Sequence, residues 1–338
     1  MKRKLTAICM IFATAFAVVS CQSSDKSQTN NTKDKTETQT VKERIANSIP
    51  DRYDDYGETK PADYYVKADG FDYDYNSLNY KLVWSDEFDY EGLPDESKWT
   101  YDIGKGQGGW GNGELQKYTD KGNAWVKDGK LTIELRKEQD EFGKDMYTSA
   151  RIKTKGKADF RYGKFEIKAK LPKGKGTWPA IWMLPSSTTE YGGWPMSGEI
   201  DIMEHVGYLQ NIIHSNVHCQ KYNGLDGSNK GWAKKVEGVS EEFHTYGFEW
   251  LPDKLIFTVD GETIFTYDPD EYVGNSKNVT KDEWPFDKEF HLIMNIAYGG
   301  SWGGSSGTDD ECLPQQMQVD YVRVYQSDVI SALAEKEK

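Results

Sequence analysis

Cysteine, histidine and positive charge are scarce in this chain, and each shortage closes a class of function. Of four cysteines in 338 residues, Cys9 and Cys21 fall at the N-terminal end. That leaves Cys219 and Cys312, too few and too far apart for a metal site. Whether these two pair or stand as separate thiols stays open, because sequence does not bring two Cα atoms within about 7 Å. Glu204, His205 and His214 carry ligand atoms, yet "MEHVGYLQNIIH" lacks the HExxH spacing of a helical zinc site. No catalytic zinc is expected. Lysine and arginine number 42 against 55 acids, a formal charge of −13, which argues against nucleic acid or an anionic lipid surface as partner. Apart from the tail "VISALAEKEK", no segment carries a sustained apolar stripe at helical period, and no internal repeat is evident.

The apolar run Leu5–Val19, behind Lys2, Arg3 and Lys4, is shorter than the roughly 20 residues a bilayer span needs. It reads as an export signal over residues 1–20. The end "VVSC" resembles the bacterial lipobox, which makes Cys21 the expected lipidation site and the only attachment to a membrane. Removing the signal takes three cations and moves the formal charge from −13 to −16. Residues 21–48 are polar and free of aromatics, a composition that cannot offset its ordering entropy, and are expected to be a flexible tether. Residues 49–79 form an acidic, tyrosine-rich extension expected to pack along the domain edge, with the domain itself over residues 80–327 and a tail over residues 328–338.

Thirty-two glycines, eleven tryptophans and twenty-one tyrosines, with only 37% hydrophobic residues, indicate short strands joined by turns. Period-two alternation recurs: Leu131, Ile133 and Leu135 share one face of "KLTIELRK", and Phe165, Ile167, Ala169 and Leu171 one face of "KFEIKAKL". Asp260-Gly261 in "KLIFTVDGETIFTY" supplies the positive φ angles of a hairpin turn. The pattern predicts an all-β fold of two antiparallel sheets packed face to face.

"GEIDIMEH" places Glu199, Asp201 and Glu204 within six positions. On a regular strand Glu199 and Asp201 share a face, but Glu204 falls on the buried side with Ile200 and Ile202. An unpaired carboxylate there would cost several kcal/mol. A β-bulge at the surplus Met203 would return Glu204 to the other acids. Two glutamates flanking an aspartate on one face suit a retaining glycosidase, whose two carboxyl groups stand roughly 5–5.5 Å apart. A solvated acidic strand face is the competing explanation. Trp178, Trp182 and Trp194, just upstream, and Trp110 shift the balance, since indoles among Gly and Pro can pave a groove for sugar rings.

"GEIDIME" resembles the signature of glycoside hydrolase family 16, in the longer, bulged form of laminarinases, agarases and carrageenases. "WSDEFD", "GNGELQKYT", "YTSARIKT", "GKFEIKAKLPKGKGTWPAIWMLP", "FHTYGFEW", "WPFDKEFHLIMNIAYGGSWGG" and "MQVDYVRVYQ" follow the order of bacterial laminarinases over roughly residues 80–327. The resemblance implies a concanavalin-like jelly-roll sandwich with a concave cleft. It also implies Glu199 as nucleophile, Glu204 as general acid and base, and Asp201 as the residue tuning Glu199. By the same likeness Trp178, Trp182 and Trp194 line the cleft, Asn112 and Arg151 bond sugar hydroxyls, His218 sits near the acid/base, and Trp302, Glu114 and Asn295 are further candidates. Many members carry a structural calcium ion, for which Glu87 and Asp320 stand at the matching places; no cofactor is required for catalysis.

The expected activity is endo-hydrolysis of β-1,3-glucan (laminarin) or mixed-linkage β-1,3-1,4-glucan. A galactan-cleaving relative and a glycan-binding lectin on the same sandwich are the alternatives. The expected partner is the polysaccharide, with no nucleic acid. The expected state is a monomeric lipoprotein of the cell envelope, at the surface or periplasmic face of an outer membrane.

Overall fold

A computed structural model describes residues 73–273 and 279–336. The expected signal, Cys21, the tether and most of the tyrosine-rich extension lie outside the described residues. In chain order the strands are β1 (Tyr80–Asp86), β2 (Thr100–Asp102), β3 (Gln116–Tyr118), β4 (Ala124–Lys127), β5 (Lys130–Gln139) and β6 (Asp145–Ser149). There follow β7 (Arg151–Lys153), β8 (Gly163–Lys170), β9 (Thr177–Pro185), β10 (Glu199–Glu204), β11 (Ile212–His218) and β12 (Lys230–Lys235). The last are β13 (His244–Trp250), β14 (Leu255–Val259), β15 (Glu262–Tyr267), β16 (Phe290–Tyr298) and β17 (Gln315–Ser327).

They form two sheets. One runs β15-β14-β13-β8-β17-β5-β6-β3, with β1 on β17 and β4 on β5; the other runs β12-β11-β10-β9-β16-β7-β2. Every pairing is antiparallel except β3 with β6. Alternation explains which faces meet: Leu131, Ile133, Leu135, Phe165, Ile167 and Ala169 are fully buried, as the period predicts. They share one core with Ile200, Leu292 and Met294 of the other sheet. Trp250 and Phe290 meet edge to face across the sandwich, ring centroids 5.4 Å apart. The expected hairpin is present between β14 and β15, with φ of 52° at Asp260 and 82° at Gly261.

Both ends of the domain are built in. The tail is a helix, Asp328–Lys336, and its Ile330 and Ala334 enter the core at i and i+4. Arg161 Nη2 donates to the Ala334 carbonyl at 2.6 Å. The domain therefore extends past residue 327. At the other end Tyr73 donates to Asp253 Oδ1 at 2.7 Å and Tyr75 to Glu249, so the last turn of the tyrosine-rich extension packs on the sandwich.

The cysteine question resolves toward separate thiols, Cys219 buried and Cys312 partly so. The calcium expectation does not fit the residues named for it. Glu87 is clamped by Arg323, with Nη2 to Oε2 at 2.7 Å and Nε to Oε1 at 3.0 Å. Asp320 is paired with Lys168 at 2.8 Å. Each carboxylate is neutralised by its own cation, and neither is left to share an ion.

The bulge lies in β10. Against β11, Glu199, Ile200 and Asp201 pair with His218, Val217 and Asn216, and then Glu204 pairs with His214. Against β9, Asp201 pairs with Trp182, Met203 with Ile181 and Glu204 with Ala180. Ile202, rather than Met203, is thus the residue without a partner in either ladder. Ile202 and Met203 both enter the core, and the next side chain, Glu204, emerges on the acids' face. The Ile202 carbonyl accepts the buried Ser215 hydroxyl at 2.8 Å. Replacing Ser215 by Ala leaves that oxygen in the core without this donor and is expected to cost about 1–3 kcal/mol. Urea unfolding would measure the loss; unchanged stability would show that the bulge does not depend on it.

Candidate active site

Register assembles the site row by row on the face of the seven-stranded sheet turned away from the core. Trp182, Asp201 and Asn216 lie side by side across β9, β10 and β11, and Ala180, Glu204 and His214 form the next row. Ala180 leaves room beside Glu204, and Trp178, one step on along β9, fills it. Its Nε1–H donates to Glu204 Oε1 at 3.0 Å. From the other side Asn216 Nδ2 donates to Glu204 Oε2 at 3.0 Å. Glu204 is 9% exposed and Asp201 2%, and Glu199 is partly buried.

Enclosure governs how these acids ionise. Burial pushes the Glu199 carboxyl from 4.5 up to about 8, reinforced by the negative charges of Asp201 and Glu204 and opposed by His218. Burial and Glu204 drive Asp201 well above the usual carboxylate range. Burial also raises Glu204, while Trp178, His218 and Asn216 pull it back. At neutral pH the group therefore holds protons in place of three adjacent charges. One of them sits on Glu199, which donates to Asp201.

His218 stands opposite Glu199. It pulls the Glu204 carboxyl down, and its Nε2 lies 3.2 Å from Asp201 Oδ2. Its Nδ1 accepts the Gly224 N–H at 3.1 Å, so the ring hydrogen sits on Nε2. Ligand atoms of Glu199, Asp201 and His218 lie within 4.8 Å of one another. A metal there would need the Nε2 lone pair, which this tautomer does not offer. His214, against Trp302 at 4.9 Å, and His205 are kept neutral by burial, their values lowered to about 4 and about 3.

The aromatic and polar candidates gather around the acids. Trp302 meets Trp178 edge to face at 5.4 Å. The Arg151 guanidinium lies between Trp110 and Trp182, 4.8 and 4.5 Å from the two rings, with its Nε 3.1 Å from Asp102 Oδ2. Trp182 Nε1–H donates to Asn295 Oδ1 at 2.8 Å. Asn112 donates to Glu114 at 3.1 Å, and its carbonyl accepts the Ser301 N–H beside Trp302. Trp194, 41% exposed, stands 5.9 Å from the His218 ring. Sequence reasoning missed Asn216 and Asp102. Asn216 has the same period-two spacing from His218 that Asp201 has from Glu199, which is the signal that could have exposed it.

The raised value of Glu199 has a consequence for stability. Between pH 4.5 and about 8 the folded protein keeps a proton there that the unfolded chain has lost, so this carboxyl's contribution to stability falls as pH rises through that window. Glu199→Gln removes the titration at constant shape. Its melting temperature relative to wild type is expected to increase from pH 5 to pH 8, and calorimetry giving a constant difference would contradict the assignment.

With the geometry established, comparison with known proteins places it. Residues 112–323 match the model of glycosyl hydrolases family 16. The chain is 51% identical to a beta-glucanase of Rhodothermus marinus over 251 residues, covering 73% of this chain and 85% of that protein. It is similar to the X-ray structure of the laminarinase from Rhodothermus marinus, with a TM-score of 0.69 and 49% identity over 73% of this chain and 98% of that one. It is also similar to SCLam, a non-specific endo-β-1,3(4)-glucanase crystallised with 1,3-β-D-cellotriosyl-glucose, with a TM-score of 0.68 and 42% identity over 74% of this chain and 95% of that one. Sandwich, bulged acid strand and indole-lined face together agree with these matches: the chain belongs to glycosyl hydrolase family 16.

Proposed function

We propose that the chain is a retaining endo-β-glucanase that hydrolyses internal bonds of β-1,3-glucan or mixed-linkage β-1,3-1,4-glucan. The observation that carries this reading is the bulge that sets Glu204 on the same face as Glu199 and Asp201, among Trp178, Trp182 and Trp302. The glucanases among its relatives support the substrate class.

In the first step the Glu199 carboxylate attacks the anomeric carbon while protonated Glu204 gives its proton to the departing glycosidic oxygen. A glycosyl ester on Glu199 results, and the bond to the leaving sugar breaks. In the second step Glu204, now ionised, takes a proton from water; the water oxygen attacks the same carbon and Glu199 leaves as carboxylate. Glu199, which holds a proton at neutral pH, passes it to Asp201 before the attack, and protonated Asp201 then stabilises the Glu199 charge by hydrogen bonding. Trp178 and Asn216, both donors to Glu204, favour its ionised form, which it must reach once per cycle. Neutral sugars suit a cleft built of indoles, because the ring faces of a glucan are apolar and its hydroxyls can be met by Arg151 and Asn112. The N-terminal sequence supports the further reading of a lipoprotein anchored through Cys21 in the cell envelope, at the outer membrane, acting there as a monomer.

Laminarin, barley glucan, agarose and carrageenan, compared by release of reducing ends, test the substrate. Hydrolysis confined to the first two is expected, and cleavage of the galactans instead would overturn it. Glu199→Gln should keep laminarin binding while losing at least about 10⁴-fold in kcat, as loss of a nucleophile requires. Turnover at the wild-type rate would exclude Glu199 as nucleophile, and binding without hydrolysis by the wild-type protein would indicate a lectin.

A further inference from the structure

Two of the groups that hold the acids are themselves held from outside the cleft, by one segment. We propose that Cys219–Gly231 is a positioning element for both catalytic acids, acting through His218 on the Glu199–Asp201 pair and through Asn216 on Glu204. This rests on the glycosidase reading above and adds to it the residues that keep the acid/base in register.

Asn223, 6% exposed, is the hub. Its Nδ2 donates to the Cys219 and Gln220 carbonyls at 3.3 and 3.2 Å, and its Oδ1 accepts the Leu225 N–H at 3.1 Å. Its own carbonyl accepts the N–H groups of Ser228 and Asn229 at 3.0 and 3.1 Å. The turn so closed delivers two contacts inward. Gly224 N–H reaches His218 Nδ1 and thereby fixes the ring hydrogen on Nε2, the atom that stands 3.2 Å from Asp201 Oδ2. Asn229 Nδ2 donates to Asn216 Oδ1 at 3.2 Å. An amide whose oxygen is engaged in this way presents its NH₂ to Glu204, and the reverse orientation would set two acceptors against each other.

Gly231 completes the arrangement. It pairs with Asn216 on β12, and a Cβ at this position would stand 1.9 Å from Asn216 Oδ1 and 2.6 Å from the Ser215 carbonyl. Only glycine leaves the amide its place. The groups facing Glu204 are few: Glu199 and Asp201 on its own strand, and His214 and His218 from β11. β9 brings Trp178 and Trp182 and no charge. A change in the Asn216 amide therefore acts on Glu204 with little competition.

The test is Asn229→Leu in the full chain, with two readouts. A crystal structure of the variant is expected to show the Asn216 amide released from Glu204. Loss of a donor to the carboxylate favours the protonated form, so the alkaline limb of kcat/KM on laminarin should move up by about half a pH unit or more. On a dinitrophenyl β-laminaribioside, whose leaving group needs no proton, kcat/KM should change less than about twofold. Gly231→Ala should move the same limb in the same direction. An Asn216 amide still donating to Glu204 in Asn229→Leu, or a uniform fall in activity with the limb unmoved, overturns the proposal. Absence of hydrolysis by wild type would instead count against the glucanase reading, and the crystal structure would still decide this one.

Discussion

Ile202 finds no partner on either neighbouring strand, and the direction of Glu204 follows from that. A regular strand would have driven the carboxyl into a core of Ile200, Met183 and Phe290, at a cost of several kcal/mol for an unpaired buried acid. With Ile202 and Met203 both inside, alternation resumes one residue late. The Ser215 hydroxyl takes up the Ile202 carbonyl, so the irregularity is stabilised by a neighbour within the same sheet. Everything chemical about the site depends on this one-residue offset, because it puts two glutamates and an aspartate on a single face.

Crowding then does what isolated carboxylates cannot do at neutral pH. Burial raises all three acids, the charges of Asp201 and Glu204 add to it at Glu199, and that of Glu204 adds to it at Asp201. The surroundings break the symmetry among them. Glu204 receives two neutral donors, Trp178 and Asn216, Asp201 has the His218 Nε2 at 3.2 Å, and Glu199 is the least enclosed of the three. Three similar side chains thus acquire different tasks through position alone.

The sandwich was legible in the chain because β5 and β8 alternate apolar with polar residues. Leu131, Ile133 and Leu135 could only be one buried face, and the period-two runs around Asp260-Gly261 could only meet in a tight hairpin. The bulge was legible for a harsher reason, since a regular strand would have buried a charge; sequence placed the surplus at Met203, whereas the unpaired residue is Ile202. The contacts that tune the site were not legible. Asn216 reads as an ordinary polar strand residue until register sets it beside Asp201, and the indoles of Trp110 and Trp182 on either side of Arg151 emerge only from the fold. The ion pairs of Glu87 with Arg323 and of Asp320 with Lys168 were not legible either, because nothing in the sequence matches those partners. The tail "VISALAEKEK" did declare a helix, yet only the fold reveals that Ile330 and Ala334 belong to the core.

The central claim is that Glu199 and Glu204 act from one face as nucleophile and acid/base, and the stereochemistry of the product tests it most directly. Proton NMR of laminarin cleavage, followed from the first minutes, observes the new reducing end before it mutarotates. The β-anomer should appear first, with the α-anomer growing in later. An α-anomer formed first would mean inversion, and would contradict attack by Glu199 on the anomeric carbon.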